Sequence, residues 1–209
     1  MNYSSKSNIY KTVEIKCAKT RENVLVVFGL MLFAILVAFS LLLSPRKVVG
    51  SSMYPTLNSS SNASDIVYII KQTTYRRGDI VVLEKNNTQS SSDVIKRVIG
   101  LAGEKISIKK DLDGYYKIFI NDKVYEENYI SSKLDMQICY NHFKSYLSHK
   151  GITEDYITVN KGEIFVLGDN RGVSLDSSVY GTRKVSEVEG RVLIVIPDSN
   201  RFFSLKIIW

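Results

Sequence analysis

Three short segments of the chain concentrate the residues able to do covalent chemistry. In Gly50-Ser51-Ser52-Met53-Tyr54-Pro55-Thr56-Leu57, two hydroxyls sit between a flexible glycine and a rigidifying proline. A serine attacks only when a partner takes its proton; without one, such serines are hydrogen-bonding turn residues. The partner is not obviously a histidine. His142 and His149 are the two in the chain, both in a polar stretch without a surrounding motif, and they read as surface residues. Lys96 is the other candidate. In an extended Val94–Ile99, the side chains of Val94, Lys96 and Val98 share one face. Burial between two apolar neighbours disfavours the ammonium form, and a lysine brought from about 10.4 to roughly 7–8 can act as a base at neutral pH. A lysine at a strand edge would instead reach water through its stem. The third segment, Gly168-Asp169-Asn170-Arg171-Gly172-Val173-Ser174-Leu175-Asp176-Ser177, offers hydroxyls and carboxylates that could orient an ammonium group, or could close a surface turn.

Positioning these segments requires a scaffold of short strands. Residues 66–70, 80–83 and 94–99 are β-branched runs that read as buried strands, with Arg77-Gly78-Asp79 as a turn before the second. Asn58 to Ser64 and Lys85 to Ser92 are polar loops. Residues 105–109 and 116–120 flank Asp113-Gly114, a hairpin signal. Residues 131–158 mix polar and aromatic side chains and are expected to be partly helical. Ile164–Leu167 and Arg191–Ile196 read as the final strands. The pattern predicts a mostly β, antiparallel domain with a smaller subdomain inserted at about 104–160.

Ahead of these strands, Val24–Leu43 is a 20-residue run without a charge. As a helix it spans roughly 30 Å, the hydrocarbon thickness of a bilayer. It is longer than the apolar core of a secretory leader, about 7–15 residues, and Ser44-Pro45-Arg46-Lys47 after it carries no small-residue cleavage pattern. The sequence therefore predicts an uncleaved transmembrane helix over 23–44. Five basic residues precede it within the first 22, against Arg46 and Lys47 just after it. That bias puts a basic tail, 1–22, in the cytoplasm and residues 45–209 outside, the single pass lying in the cell membrane. Of the formal net charge of +7, the +3 carried by residues 1–22 fits anionic lipid at the inner leaflet. No zinc-finger, RNA-recognition motif or dense basic stripe accompanies it, so nucleic acid is not an expected partner. Cys17 and Cys139 fall on opposite sides of the membrane in this topology, which excludes an intrachain disulfide between them.

Taken together, the segments resemble the bacterial type I signal peptidases. Gly50–Leu57 resembles that family's nucleophile box, where serine immediately precedes methionine. Arg77-Gly78-Asp79-Ile80-Val81-Val82 resembles the second box, Lys96-Arg97-Val98-Ile99-Gly100-Leu101-Ala102-Gly103-Glu104 the lysine box, and Gly168–Ser177 the last. The four occur in order behind the anchor, over about residues 24–196, with 110–160 poorly covered and short as in Gram-positive members. The resemblance implies the fold of the signal-peptidase/LexA-like type, which repressor autoproteases share without an N-terminal anchor. It implies a membrane-bound serine endopeptidase that removes signal peptides from secretory preproteins through a Ser-Lys dyad, Ser52 the nucleophile and Lys96 the base. Ser174 matches the serine that hydrogen-bonds the base and Asp176 the structural carboxylate. Met53 and Ile95 are implied near the substrate pocket, which takes small residues at the third and first positions before the cut. No metal or nucleotide is implied, and the chain contains neither a ligand cluster nor a phosphate loop. The chain departs from the family's pattern at Ala102, usually proline, at Gly172-Val173, usually Asp-Asn, and at Ser178. An arginine at the last position commonly pairs with the carboxylate matched by Asp176.

Overall fold

The structure is a computed structural model that describes residues 3–58, 64–84, 94–130, 132–198 and 206–207. Of the two polar loops expected at 58–64 and 85–92, the first is described only at its ends and the second lies outside the described residues. The chain divides into two units at Leu43/Ser44. The first is a single helix, α1 (Tyr3–Leu42). Its Glu22–Ser40 stretch has a mean hydropathy of 2.5, and none of it is buried against protein. By length and composition it can cross a membrane.

The second unit is built on two antiparallel sheets. The larger contains β1 (Ser44–Lys47), β2 (Ile66–Ile70), β3 (Ile80–Leu83), β4 (Val94–Gly100), β9 (Glu163–Leu167), β10 (Arg183–Lys184), β11 (Val188–Ile196) and β12 (Lys206–Ile207). Its strand order is β1-β2-β11-β3-β4-β9-β10, with β12 also on β11. The smaller contains β5 (Lys105–Lys110), β6 (Tyr116–Ile120), β7 (Lys123–Tyr125) and β8 (Tyr156–Thr158), in the order β7-β6-β5-β8. α2 (Met136–His149) packs on this sheet and α3 (Ser177–Tyr180) on β9. The fold class is the mostly antiparallel β architecture that the strand pattern predicts. β1, β7, β8, β10 and β12 are too short, or too polar, to have been read as strands. The stretch 131–158 holds one regular helix, whose buried face is Met136, Cys139, Phe143 and Leu147 at helical spacing.

A single apolar cluster unites the sheets. Ile99, Phe165 and Leu167 of the larger sheet pack with Ile106, Ile118 and Ile157 of the smaller and with Phe143 of α2. Gly100 makes the close approach possible: a Cβ there would lie 2.9 Å from the Ile106 side chain and from Phe165 Cβ. A second cluster joins Met53 and Leu57 to β2, β3 and Ile95, and a third places Val98 with Val81, Leu83 and Val166. β4 is therefore buried along nearly its whole length, as β-branched residues on both faces of a central strand require. Its ladder to β3 runs from Val94 to Arg97, whereas β9 meets it only at Arg97, Val98 and Gly100. The Val94–Lys96 half thus has a strand partner on one side alone among the described residues.

Candidate active site

The turn that carries Ser51 and Ser52 is fixed from both sides. Gly50 adopts φ 84°, a left-handed conformation that glycine takes without a Cβ penalty. Asn58 and Asp65 exchange bonds across the following loop: Asp65 N–H donates to Asn58 Oδ1 (2.9 Å), Asn58 N–H to Asp65 Oδ2 (2.7 Å). Asn58 Nδ2 also donates to the Gly50 carbonyl at 2.8 Å. Beneath the turn, Met53 and Leu57 enter the core. On the opposite side Asn170 N–H donates to the Ser52 carbonyl (3.0 Å) and Asn170 Nδ2 to that of Ser51 (3.1 Å). None of these partners is legible from spacing alone, because the Asn170 contacts join positions more than a hundred residues apart.

Lys96 enters from β4. Its residue is 3% exposed, and Nζ donates to Ser52 Oγ at 2.8 Å. Burial lowers the lysine pKa to about 8, against the opposing pull of Asp176 and Asp169. The side chain therefore sits near the point where it can lose a proton under mild conditions. Among the described residues no group of three or more His, Cys, Asp or Glu could hold a metal ion.

The loop after β9 forms the remaining wall. Asp169 is fully buried; its carboxylate accepts from Arg97 Nε (2.8 Å) and Nη2 (2.6 Å) and from Thr56 Oγ1 (2.5 Å). Arg97 also stacks over Tyr129 at 3.9 Å. This fork ties the loop to the residue after Lys96 and to the serine turn, with the planar geometry that arginine suits. Arg171, also buried, donates to Glu127 through both terminal nitrogens and to the Gly168 carbonyl through Nε at 2.9 Å.

Asp176 is the N-cap of α3. Its carboxylate accepts from Gly168 N–H (3.0 Å), Ser178 N–H (3.0 Å) and Ser178 Oγ (2.8 Å). Ser178 thus supplies two donors at the position where an arginine was expected to pair. Ser174 is 1% exposed, but its Oγ has no hydrogen-bond partner among the described residues, so the bond to the base that the resemblance implies is not made. Its hydroxyl lies against Gly168: a Cβ added to Gly168 would collide with Ser174 Oγ and come within 2.5 Å of the Ser52 carbonyl oxygen.

Ser52 and Lys96 open onto a cleft of about 630 Å³ lined by Val49–Ser52, Val94, Ile95, Val173, Leu175, Asp176 and Tyr180, with Glu84, Glu163, Arg183 and Glu187 also among its residues. Ile95 therefore lines the cleft. Met53 does not; it is 2% exposed and packs in the core behind the serine turn. Neither histidine lines this cleft. Both line a separate groove with Tyr146 and Tyr180; His142 is half-buried, and its Nδ1 has no hydrogen-bond partner among the described residues. Cys139 is buried, and desolvation pushes its thiol up to about 12, which leaves it no thiolate at neutral pH.

Comparison with known proteins identifies the family. Residues 21–196 match the family model described as signal peptidase, peptidase S26. The chain is 32% identical over 172 residues to signal peptidase I U of Bacillus subtilis, covering 80% of this chain and 82% of the relative. It is 30% identical over 168 residues to signal peptidase IB of Staphylococcus aureus, covering 72% and 76%. Among solved structures, a signal peptidase I from Enterococcus faecalis is 26% identical, with a TM-score of 0.37, over 56% of this chain and 96% of that one.

Proposed function

The chain belongs to the signal peptidase family and is a serine peptidase that removes signal peptides, and on that footing we propose that it does so from a membrane anchor by acyl transfer between Ser52 and Lys96. The observation that carries the mechanism is the 2.8 Å separation of Lys96 Nζ and Ser52 Oγ in a buried setting. With Lys96 neutral, the same line carries the serine proton to the amine as Oγ attacks the scissile carbonyl. The resulting ammonium then protonates the leaving amine, and the amine afterwards activates water against the acyl-enzyme. The Ser52 backbone N–H serves the oxyanion. Ser174 and Asp176 provide the polar surroundings in which the ammonium intermediate is tolerated.

The substrate is a secretory preprotein. It lies extended along the Val94–Lys96 edge of β4, where main-chain hydrogen bonds give affinity and shallow pockets select small residues. Ile95 contacts the peptide, and Met53 shapes the pocket from the core side. In this reading residues 1–22 are cytoplasmic, 23–44 span the cell membrane, and 45–209 form the extracytoplasmic catalytic domain with 104–160 as its inserted subdomain. The anchor rests on α1, whose Glu22–Ser40 stretch has the length and mean hydropathy, 2.5, to cross a membrane.

The dyad is tested by cleavage of a model preprotein in detergent. Ser52→Ala should abolish cleavage, while Ser51→Ala, at an exposed residue, should retain most of it. Equal losses in both variants with intact folding would leave the nucleophile elsewhere.

A further inference from the structure

The loop that closes the site alternates sharply in exposure. Ser174 and Asp176 are 1% and 5% exposed, whereas Val173 and Leu175 between and beside them are 59% and 58% exposed. Single exposed apolar side chains are ordinary on protein surfaces. These two differ in their placement. Both line the concave cleft that holds Ser52 and Lys96, as does the equally exposed Val49. The loop beneath them is held rigidly: Val173 and Ser174 N–H both bond to the Asn170 carbonyl, and Asn170 N–H bonds to the Ser52 carbonyl. The apolar pair is thus held in place relative to the nucleophile, and little of its surface is covered by the chain's own core.

We infer that Val173 and Leu175 form an apolar wall that binds an apolar side chain of the substrate peptide, outside the two small-residue positions, and so determine which preproteins are preferred. The inference rests on the proposed function above and deepens it. The occupant follows from continuity: the wall is part of the same concavity as the reacting hydroxyl, so the peptide that reaches Ser52 is the chain that covers it. Apolar surface already ordered and half-exposed gains from burial without a folding cost of its own. The wall acts through contact with substrate and takes no part in bond making.

The test is a peptide series in which each position within about six residues of the cut carries Leu or Asn in turn. Wild type, Val173→Thr, Val173→Asn and Leu175→Asn are assayed in detergent for kcat and KM, and for equilibrium binding of the same fluorescent peptides by anisotropy. At one position wild type should prefer Leu by about tenfold, the lower end of what a methylene-sized apolar contact contributes. The preference should reside in KM and in binding, and should collapse in the variants. Val173→Thr is nearly isosteric and on the surface, so it keeps the test valid if an asparagine variant melts early. Preference unchanged in folded variants overturns the inference. So does loss of lipid-vesicle binding in Val173→Asn with peptide preference intact, which would assign the wall to membrane contact. Failure of wild type to cleave any preprotein peptide would instead sink the proposed function, and the anisotropy comparison would still decide the wall.

Discussion

Lys96 carries the sharpest consequences at the scale of single residues. A shift from 10.5 to about 8 corresponds to about 3 kcal/mol of disfavoured ammonium, supplied by burial. The pH dependence follows in sign. Cleavage by the free enzyme should rise as pH passes through about 8, because the neutral amine is the base. Between about 8 and 10.5 the unfolded chain binds the proton that the folded chain has released, so this residue's contribution to stability also rises with pH. Lys96→Arg should be as inactive as Lys96→Ala, since arginine keeps the charge but does not deprotonate in proteins. A pH series of kcat/KM on one preprotein peptide checks both statements; activity in Lys96→Arg above about 1% of wild type would remove lysine as the base. The alternation of Val94, Lys96 and Val98 fitted both a buried Lys96 and one at a strand edge reaching water; the fold decides for burial. Its pairing with Ser52, 44 positions away, was not legible from the strand itself.

At the scale of elements, the turn after β9 is where packing tolerates least. Gly168 donates its N–H to Asp176 and accepts from Arg171 through its carbonyl, while its missing side chain leaves room for Ser174 and the Ser52 carbonyl. Gly168→Ala must push the Ser52 carbonyl or the Ser174 hydroxyl away, an overpacking cost of about 1–3 kcal/mol. We expect a melting temperature lower by several degrees and kcat/KM lower by more than tenfold, read by thermal melting and peptide cleavage on the same preparation. An alanine variant with wild-type melting and turnover would show that the close approach does not constrain the dyad. The same turn shows what holds Asp176 where an arginine was expected. Ser178 N–H and Oγ both bond to Asp176 Oδ1, so the carboxylate is held by short-range donors at the N-cap of α3. A sequence pattern registers the lost cation; it does not register a hydroxyl two residues on that folds back.

For the whole molecule, the testable statement is topology. The basic residues before α1 and the apolar stretch inside it call for a cytoplasmic N-terminus and an external catalytic domain. In intact protoplasts carrying a tagged chain, external protease should digest a C-terminal tag and spare an N-terminal one. The reverse pattern would invert the proposed orientation and place Ser52 on the wrong side for exported substrates.

The sequence by itself determined what depends on local pattern. Apolar length marked the helix at 24–43, β-branched runs marked the central strands, and four motif segments marked the chemistry. Those signals are written in neighbouring residues. Tertiary structure alone decided what depends on contacts between distant segments. It placed Met53 and Ile95 in one core cluster but only Ile95 on the cleft, although both adjoin a reacting residue in sequence. It left Ser174 Oγ without the expected bond and gave Asp176 a serine partner instead of a cation. It also joined Arg97, Asp169 and Thr56 into one buried network. The physical reason is common to all of them. A hydrogen bond or a packing contact is fixed by where two backbones meet, and β4, β9 and the serine turn are brought together by the larger sheet and its core.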